Sequence, residues 1–321
     1  MRGLALGLVA LFFALSGPVG KVAAQTLAFD LQTHIPELSY GDLAYVRGTR
    51  VLPHASNALA LDLDAIHRPF VVTDPNLGTE VAVVETRSTF AIMYGVGFLD
   101  HFQGTIAVPL VFQRGAGIEA FTGDPDDRLN AGAVGDLRLD LAYMPFEVNP
   151  ALGSVDFDLG FGAGVLAPTG DGVAFSGSAA WSGYFDVMGN ARWGNLRFAA
   201  QSGVRLRETA TIIDVTWGSQ VLLAGAVAYN FFSDHLVLAV EAQVLLGLTS
   251  NAATPAQLMG EARVVLDRER TAIVVGAGGG LNAELGAPEW QIVAAFRHTP
   301  GRSGSALARA LTGEMFMEPR E

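Results

Sequence analysis

Eleven charged side chains are spaced as if to share one surface: Arg138 and Asp140, Asp156 and Asp158, Asp186, Arg197, Arg205, Glu241, Glu261 and Arg263, and Arg297. Several lie two residues apart, the spacing that keeps side chains on one face of an extended strand. On neighbouring strands they would meet as ion pairs, Arg138 with Asp156 or Asp158 and Glu241 with Arg263. Such pairs either brace a wall or form a charged constriction that selects solutes. Neither role requires a cofactor.

Other chemistry finds less support. The histidines are His34, His54, His67, His101, His235 and His298. His101 and His235 fall in short turns, His34 and His54 precede the first strand, and His67 and His298 sit toward strand ends. Neither His67 nor His298 has a serine at a convincing neighbouring position, so no Ser/His catalytic set is assigned, although triad partners meet in space rather than in sequence. The chain has no cysteine, which excludes thiolate catalysis, cysteine-ligated metals and a disulfide scaffold. GAGGG at 276–280 leads into no helix and reads as strand glycine rather than a phosphate loop. DPDD at 124–127 offers oxygen ligands for calcium but lacks EF-hand spacing, so it reads as a solvated acidic loop. The expectation is no enzyme, no metal and no cofactor.

The elements that must position the charged set are strands. From residue 58 to 299 the chain is a series of alternating segments, at 58–72, 84–98, 103–113, 134–144, 154–166, 180–192, 195–207, 218–231, 235–248, 257–267, 271–281 and 289–299. That makes 12 candidate strands. Glycines and β-branched residues interrupt them where a helix would lose about 1 kcal/mol at each glycine. Each splits into two faces. Val155, Phe157, Leu159, Phe161 and Val165 oppose Asp156, Asp158, Gly160, Gly162 and Gly164; Leu236, Leu238, Val240, Val244 and Leu246 oppose Glu241 and Gln243. Leu196, Phe198 and Val204 oppose Arg197 and Arg205, and Trp290, Ile292 and Phe296 oppose Gln291 and Arg297.

Alternation alone also fits a soluble sandwich. Three features favour a membrane barrel instead. Aromatics gather toward strand ends, at Trp181, Trp193, Trp290, Tyr143, Tyr229 and Phe231, as interfacial girdles do. The polar face is thinly charged and rich in Gly, Ala, Ser and Gln, unlike a water-exposed sheet. Short connections alternate with longer loops, without Greek-key returns, which is the up-and-down pattern of bacterial barrels with periplasmic turns.

Before the strands, MRGLALGLVALFFALSGPVGKVAAQ has Arg2, an apolar core from Leu4 to Leu15, and Val22-Ala23-Ala24 before Gln25. This is the form of a secretory signal peptide, with a core of roughly 12 residues against the ~20 of a spanning helix. Residues 1–24 are read as signal, 25–57 as a periplasmic leader without clear periodicity, 58–299 as the barrel and 300–321 as a short tail. Without the signal, 18 arginines and no lysine face 32 acids, a formal charge of −14. That balance argues against nucleic acid as a partner.

The order of the phrases FDLQTHIPELSYGDLAYVRGTRVLPHAS, LALDLDAIHRPFVV, FLDHFQGTIAVPLVFQRG, VGDLRLDLAYMPF and GFGAGVLAPTGDG resembles the N-terminal barrel of OmpA-type outer membrane proteins, over about residues 29–299. The resemblance implies an outer-membrane barrel and assigns no substrate. Such proteins often continue into acidic calcium-binding repeats and a peptidoglycan-binding domain, and the stretch after Pro300 is too short for one. The expectation is therefore an all-β, antiparallel, up-and-down transmembrane barrel of about 12 strands in a Gram-negative outer membrane, acting as a passive pore or structural barrel. Its partners would be outer-membrane lipid and small solutes. The competing readings are an enzyme or surface-binding protein on a barrel scaffold, and a soluble secreted β-protein.

Overall fold

A computed structural model describes residues 29–36, 38, 43–73, 78–117, 119, 128–148, 155–172, 175–212, 215–232, 235–266 and 271–299. The strands are β1 (Asn57–Thr73), β2 (Glu80–Phe98), β3 (Phe102–Arg114), β4 (Gly132–Val134), β5 (Leu137–Val148), β6 (Val155–Ala167), β7 (Ser182–Trp193), β8 (Leu196–Leu206), β9 (Ala210–Ile212), β10 (Val215–Trp217), β11 (Gln220–Phe231), β12 (Leu236–Gly247), β13 (Ala256–Leu266), β14 (Thr271–Gly280) and β15 (Trp290–His298). Every long strand pairs antiparallel with its sequence neighbours, and β1 pairs with β15 to close the ring. β4 and β5 both pair with β3 and form a single interrupted strand, so the result is a closed 12-stranded antiparallel barrel. Closure gives each long strand two partners, as a wall in lipid requires.

The interruption has a local cause. β3 runs through Pro109, which has no amide hydrogen to give, and its partner bulges there at Gly135 and Asp136. The Gly135 amide still reaches the Pro109 carbonyl at 2.8 Å. The turn between β7 and β8 is only Gly194-Asn195, with Gly194 at φ 57°, a left-handed conformation that glycine adopts without a Cβ penalty. In contrast, the connection after β8 holds the β9–β10 hairpin, which the sequence did not announce.

β12 shows how alternation sets the wall. Leu238 and Val240 are 44% and 56% exposed on the outer surface, while Glu241 between Val240 and Ala242 is 0% exposed inside. The same division runs round the ring, with Ile92, Phe185, Phe198, Val227, Val264, Val275 and Ile292 outward. A continuous apolar exterior of this size suits lipid rather than water. Toward the short-turn end it carries a chain of stacked rings, Phe98, Phe102, Tyr143, Phe161 and Phe185, with centroids 4.6 to 6.5 Å apart. Trp181 and Trp290 lie at the opposite, long-loop end, so the aromatics do occupy both rims of the exterior.

The interior holds the main departure from the sequence reading. Of residues 25–57, read there as a periplasmic leader apart from the barrel, the described residues 29–36, 38 and 43–56 run inside it. Phe29 and Leu31 sit at the long-loop end against Phe175 and Trp217. Residues 43–47 contact the middle of the wall, and Ala55 and Ser56 hydrogen-bond to Gly97 at the short-turn end, where β1 begins. The wall is shaped to receive this segment. Leu43 and Val46 pack on Ala199, Ala226, Ala228 and Ala239, and Leu38 and Leu52 pack on Ala58, Ala60 and Ala107. Small inward side chains leave the room that the large segment residues fill, at the complementarity that cores require.

Candidate functional site

Most of the buried charged residues of the barrel converge in the lumen. Of the eleven predicted from sequence, Arg138, Asp140, Asp186, Arg205, Glu241, Glu261, Arg263 and Arg297 are buried inside. Asp158 and Arg197 are half-buried on the same face, nearer the short turns, with Arg197 Nε donating to Asn190 Oδ1 at 2.8 Å. Asp156 is exposed at the short-turn rim.

Their pairings differ from those expected. Register sets Arg138 opposite Leu166, and the arginine instead meets Asp140 two residues along its own strand, at 2.7 Å. Glu241 stands opposite Met259 rather than Arg263, which approaches Glu261 at 3.4 Å. A spacing of two keeps each pair on one face, and the partner is on the same strand because the stagger between strands carries the others out of reach.

What the freed carboxylates hold is the segment inside. Glu241 accepts the backbone amides of Ala44 (2.9 Å), Tyr45 (2.8 Å) and Val46 (3.0 Å), and Glu261 accepts Ala44 again at 2.8 Å. Three successive amides aimed at two buried carboxyl groups form a polar latch. Around it, Tyr45 Oη donates to Gln291 Oε1, the Arg47 amide donates to Gln201 Oε1 at 2.9 Å, and Arg47 lies 3.9 Å from Asp186. Nearer the short turns, Thr49 donates to Asp158 at 3.4 Å and the Leu52 amide to Gln103 at 3.0 Å.

The glycines of β6 belong to the same arrangement. They do not leave open lumen: a Cβ on Gly160 would strike Met144, on Gly162 the guanidinium of Arg47, and on Gly164 the ring of Tyr184. The empty face is occupied by neighbours that need the absence of a side chain.

At the long-loop end Phe29, Leu31, Phe70, Val83, Val84, Phe175, Ala210, Trp217, Ala253 and Leu285 form an apolar cap, contributed by the segment, four strands (β1, β2, β9 and β10) and three loops. Polar anchors surround it. Arg87, 1% exposed, pairs with Asp30 at 3.1 Å and donates to the Phe175 carbonyl, and Trp217 Nε1 donates to the Asp30 carbonyl at 2.9 Å. Arg205 donates to the Thr33 carbonyl at 3.1 Å, and the Arg138 guanidinium donates to the Pro36 carbonyl. Beside the cap, a cavity of about 50 Å³ is lined by Asp30, Asp136, Arg138, Tyr184, Arg205 and Arg207, among others.

Several of these residues went unnamed in the sequence. Asp62 and Asp64 on β1 and Arg87 on β2 obey the same alternation and were legible by it. Arg47, Tyr45 and His34, which lies 3.6 Å from Asp62, sit in the segment, where no periodicity marks them. The histidines at strand ends have structural surroundings: His67 stacks on Trp290 at 5.2 Å, and His298 meets Thr271 at 3.0 Å. The acidic stretch at 124–127, the signal and the tail lie outside the described residues.

A ring of strands with a lipid-compatible exterior and a charged interior defines a transmembrane β-barrel. No protein-family model matches the chain, and neither does any curated protein sequence. Among solved structures, the COG4313 outer membrane channel from Pseudomonas putida F1 matches with a TM-score of 0.58 and 14% identity, over 78% of this chain and 98% of that one. The KdgM porin in complex with disordered oligogalacturonate matches with a TM-score of 0.42 and 10% identity, over 76% and 98%. The beta domain of the Bordetella autotransporter BrkA gives 0.41 and 12%, over 76% and 99%. The likeness to the first is one of fold. These neighbours are outer-membrane barrels of families other than the OmpA type.

Proposed function

We propose that the protein is a passive pore for small hydrophilic solutes in a Gram-negative outer membrane, shut in this conformation by the inner segment, described at residues 29–36, 38 and 43–56. The observation that carries this reading is the latch. A barrel needed only as a scaffold gains nothing by burying Glu241, Glu261 and Arg263 in its lumen, since apolar filling is often as stable as a buried charged cluster. A segment held by hydrogen bonds, and covalently joined to the wall only at β1, can be displaced. In that state the charged wall, with Arg138, Asp140, Asp186, Arg205 and Arg297, would line a water-filled path. The signal-like N-terminal stretch and the apolar exterior support export to the outer membrane. Kinship to OmpA-type barrels rests on phrases such as GDLRL and APTG, and the likeness to channels and porins supports a non-enzymatic role.

A structural barrel is the second reading, favoured by the apolar cap at the loop end. Planar-bilayer recording separates the two. A pore gives discrete current steps that become larger or more frequent when Glu241→Ala removes the latch. No current above background in either form would leave the structural role.

A further inference from the structure

The cavity beside the cap has the chemistry of a ligand site. It lies toward the long-loop end, between the inner segment and the wall from β2 to β8, with Ala91, Pro109, Leu166 and Leu206 among its lining. Register builds it: Gly164 of β6, Tyr184 of β7 and Arg205 of β8 are direct cross-strand neighbours in one row. Because Gly164 has no side chain, the Tyr184 ring lies over it, and the ring's position is fixed.

Tyr184 is 3% exposed, lines the cavity, and its hydroxyl has no hydrogen-bond partner among the described residues. A buried hydroxyl without a partner is costly, and few are left so unless something else meets them. The charges around it favour an anion. Among the described lining residues three are arginines, Arg138, Arg205 and Arg207, and two are acids, Asp30 and Asp136. Both acids are already engaged: Asp136 accepts the Gly170 and Ser178 amides, each at 2.9 Å, and Asp30 accepts the Gln32 amide at 2.9 Å and pairs with Arg87. Arg207 is pressed from two sides. Desolvation first and the like charge of Arg205 second push its guanidinium down to about 10, against the pull of Asp30. An anion between the arginines would relieve that repulsion.

Size narrows the class. A water requires roughly 10–15 Å³ of such space, so about 50 Å³ admits an anion of about four non-hydrogen atoms. A planar carboxylate of that size presents two oxygens to guanidinium donors and leaves a lone pair for a phenol. We propose that this cavity binds a small carboxylate, with Arg205 and Arg207 supplying the positive field, Arg138 being paired with Asp140, and Tyr184 donating the hydrogen bond that orients the ligand.

The inference goes beyond the pore reading and is tested by binding. The full-length protein, folded in detergent and checked by its heat-modifiable gel mobility, is titrated calorimetrically with potassium acetate at constant ionic strength, and with acetamide as the neutral molecule of the same shape. Expected are saturable acetate binding, no acetamide binding, and acetate affinity about tenfold lower in Tyr184→Phe, the loss typical of one hydrogen bond to a charged group. Absence of saturable acetate binding, equal binding of acetamide, or unchanged affinity in Tyr184→Phe overturns the site. The acetate–acetamide contrast needs no variant, so a misfolded Tyr184→Phe leaves the test standing. Current without acetate binding sinks the site and keeps the pore; binding without current does the reverse.

Discussion

The inner segment is held in two regions by opposite means. In the middle of the barrel Ala44, Tyr45 and Val46 hang on the carboxylates of Glu241 and Glu261, a contact made of charge and backbone amides. At the long-loop end Phe29 and Leu31 sit in an apolar cap with Phe70, Phe175 and Trp217, a contact made of packed rings. A polar latch is directional and fails when its acceptor is lost. An apolar cap is non-directional and fails when a volume is removed. Together they specify where each part of an otherwise irregular segment lies, the latch fixing register and the cap supplying most of the burial.

The largest effect is expected from the cap. Trp217 is fully buried, donates to the Asp30 carbonyl and lies under Arg207, so Trp217→Ala should cost about 3–5 kcal/mol locally. The Leu31 amide, bonded to the Phe175 carbonyl at 3.0 Å, reports it: its hydrogen-exchange protection should fall by about a hundredfold or more. Glu241→Gln comes next. It keeps one acceptor oxygen and loses the charge, for about 1–3 kcal/mol, and should expose the Ala44, Tyr45 and Val46 amides to exchange while leaving Leu31 protected. If either variant loosened both sets of amides equally, the two regions would be one cooperative unit and the contrast would be wrong. Asp158→Asn should be smallest, under about 1 kcal/mol, because its contact with Thr49 is long at 3.4 Å and half-exposed. Protection at both Leu31 and Val46 should stay as in the parent.

The wall was legible in sequence because a strand's period of two is imposed by the backbone itself. Phe157 and Leu159 had to face away from Asp158 whatever surrounded them. Strand ends came within a few residues, with β2 starting at Glu80 rather than 84 and β7 at Ser182 rather than 180. The partners of the charges were not legible. Which residue of β6 faces Arg138 depends on stagger, and the bulges at Asp136 and between Tyr143 and Phe146 change that count locally. The inner segment was least legible, since Leu31, Leu43 and Val46 follow no period when they pack against six or more strands in turn. One signal was present: an inward face of alanine and glycine, at Ala199, Ala226, Ala228, Gly160 and Gly162, is too small to fill a barrel of this width and asks for something to occupy it.

One consequence of the threading concerns movement. The segment continues into β1 at Asn57, beside the short-turn mouth, and everything from Phe29 to Ser56 lies upstream of that single tether. Such a chain does not swing aside as a hinged lid does. To clear the passage toward the tethered end it must be reeled back along its own path, Phe29 leaving the rings at the far mouth before the amides of Ala44 to Val46 slip from the carboxylates at half depth. Opening is then a sequence of releases in series, its speed governed by the slowest, and re-entry must repeat the order in reverse.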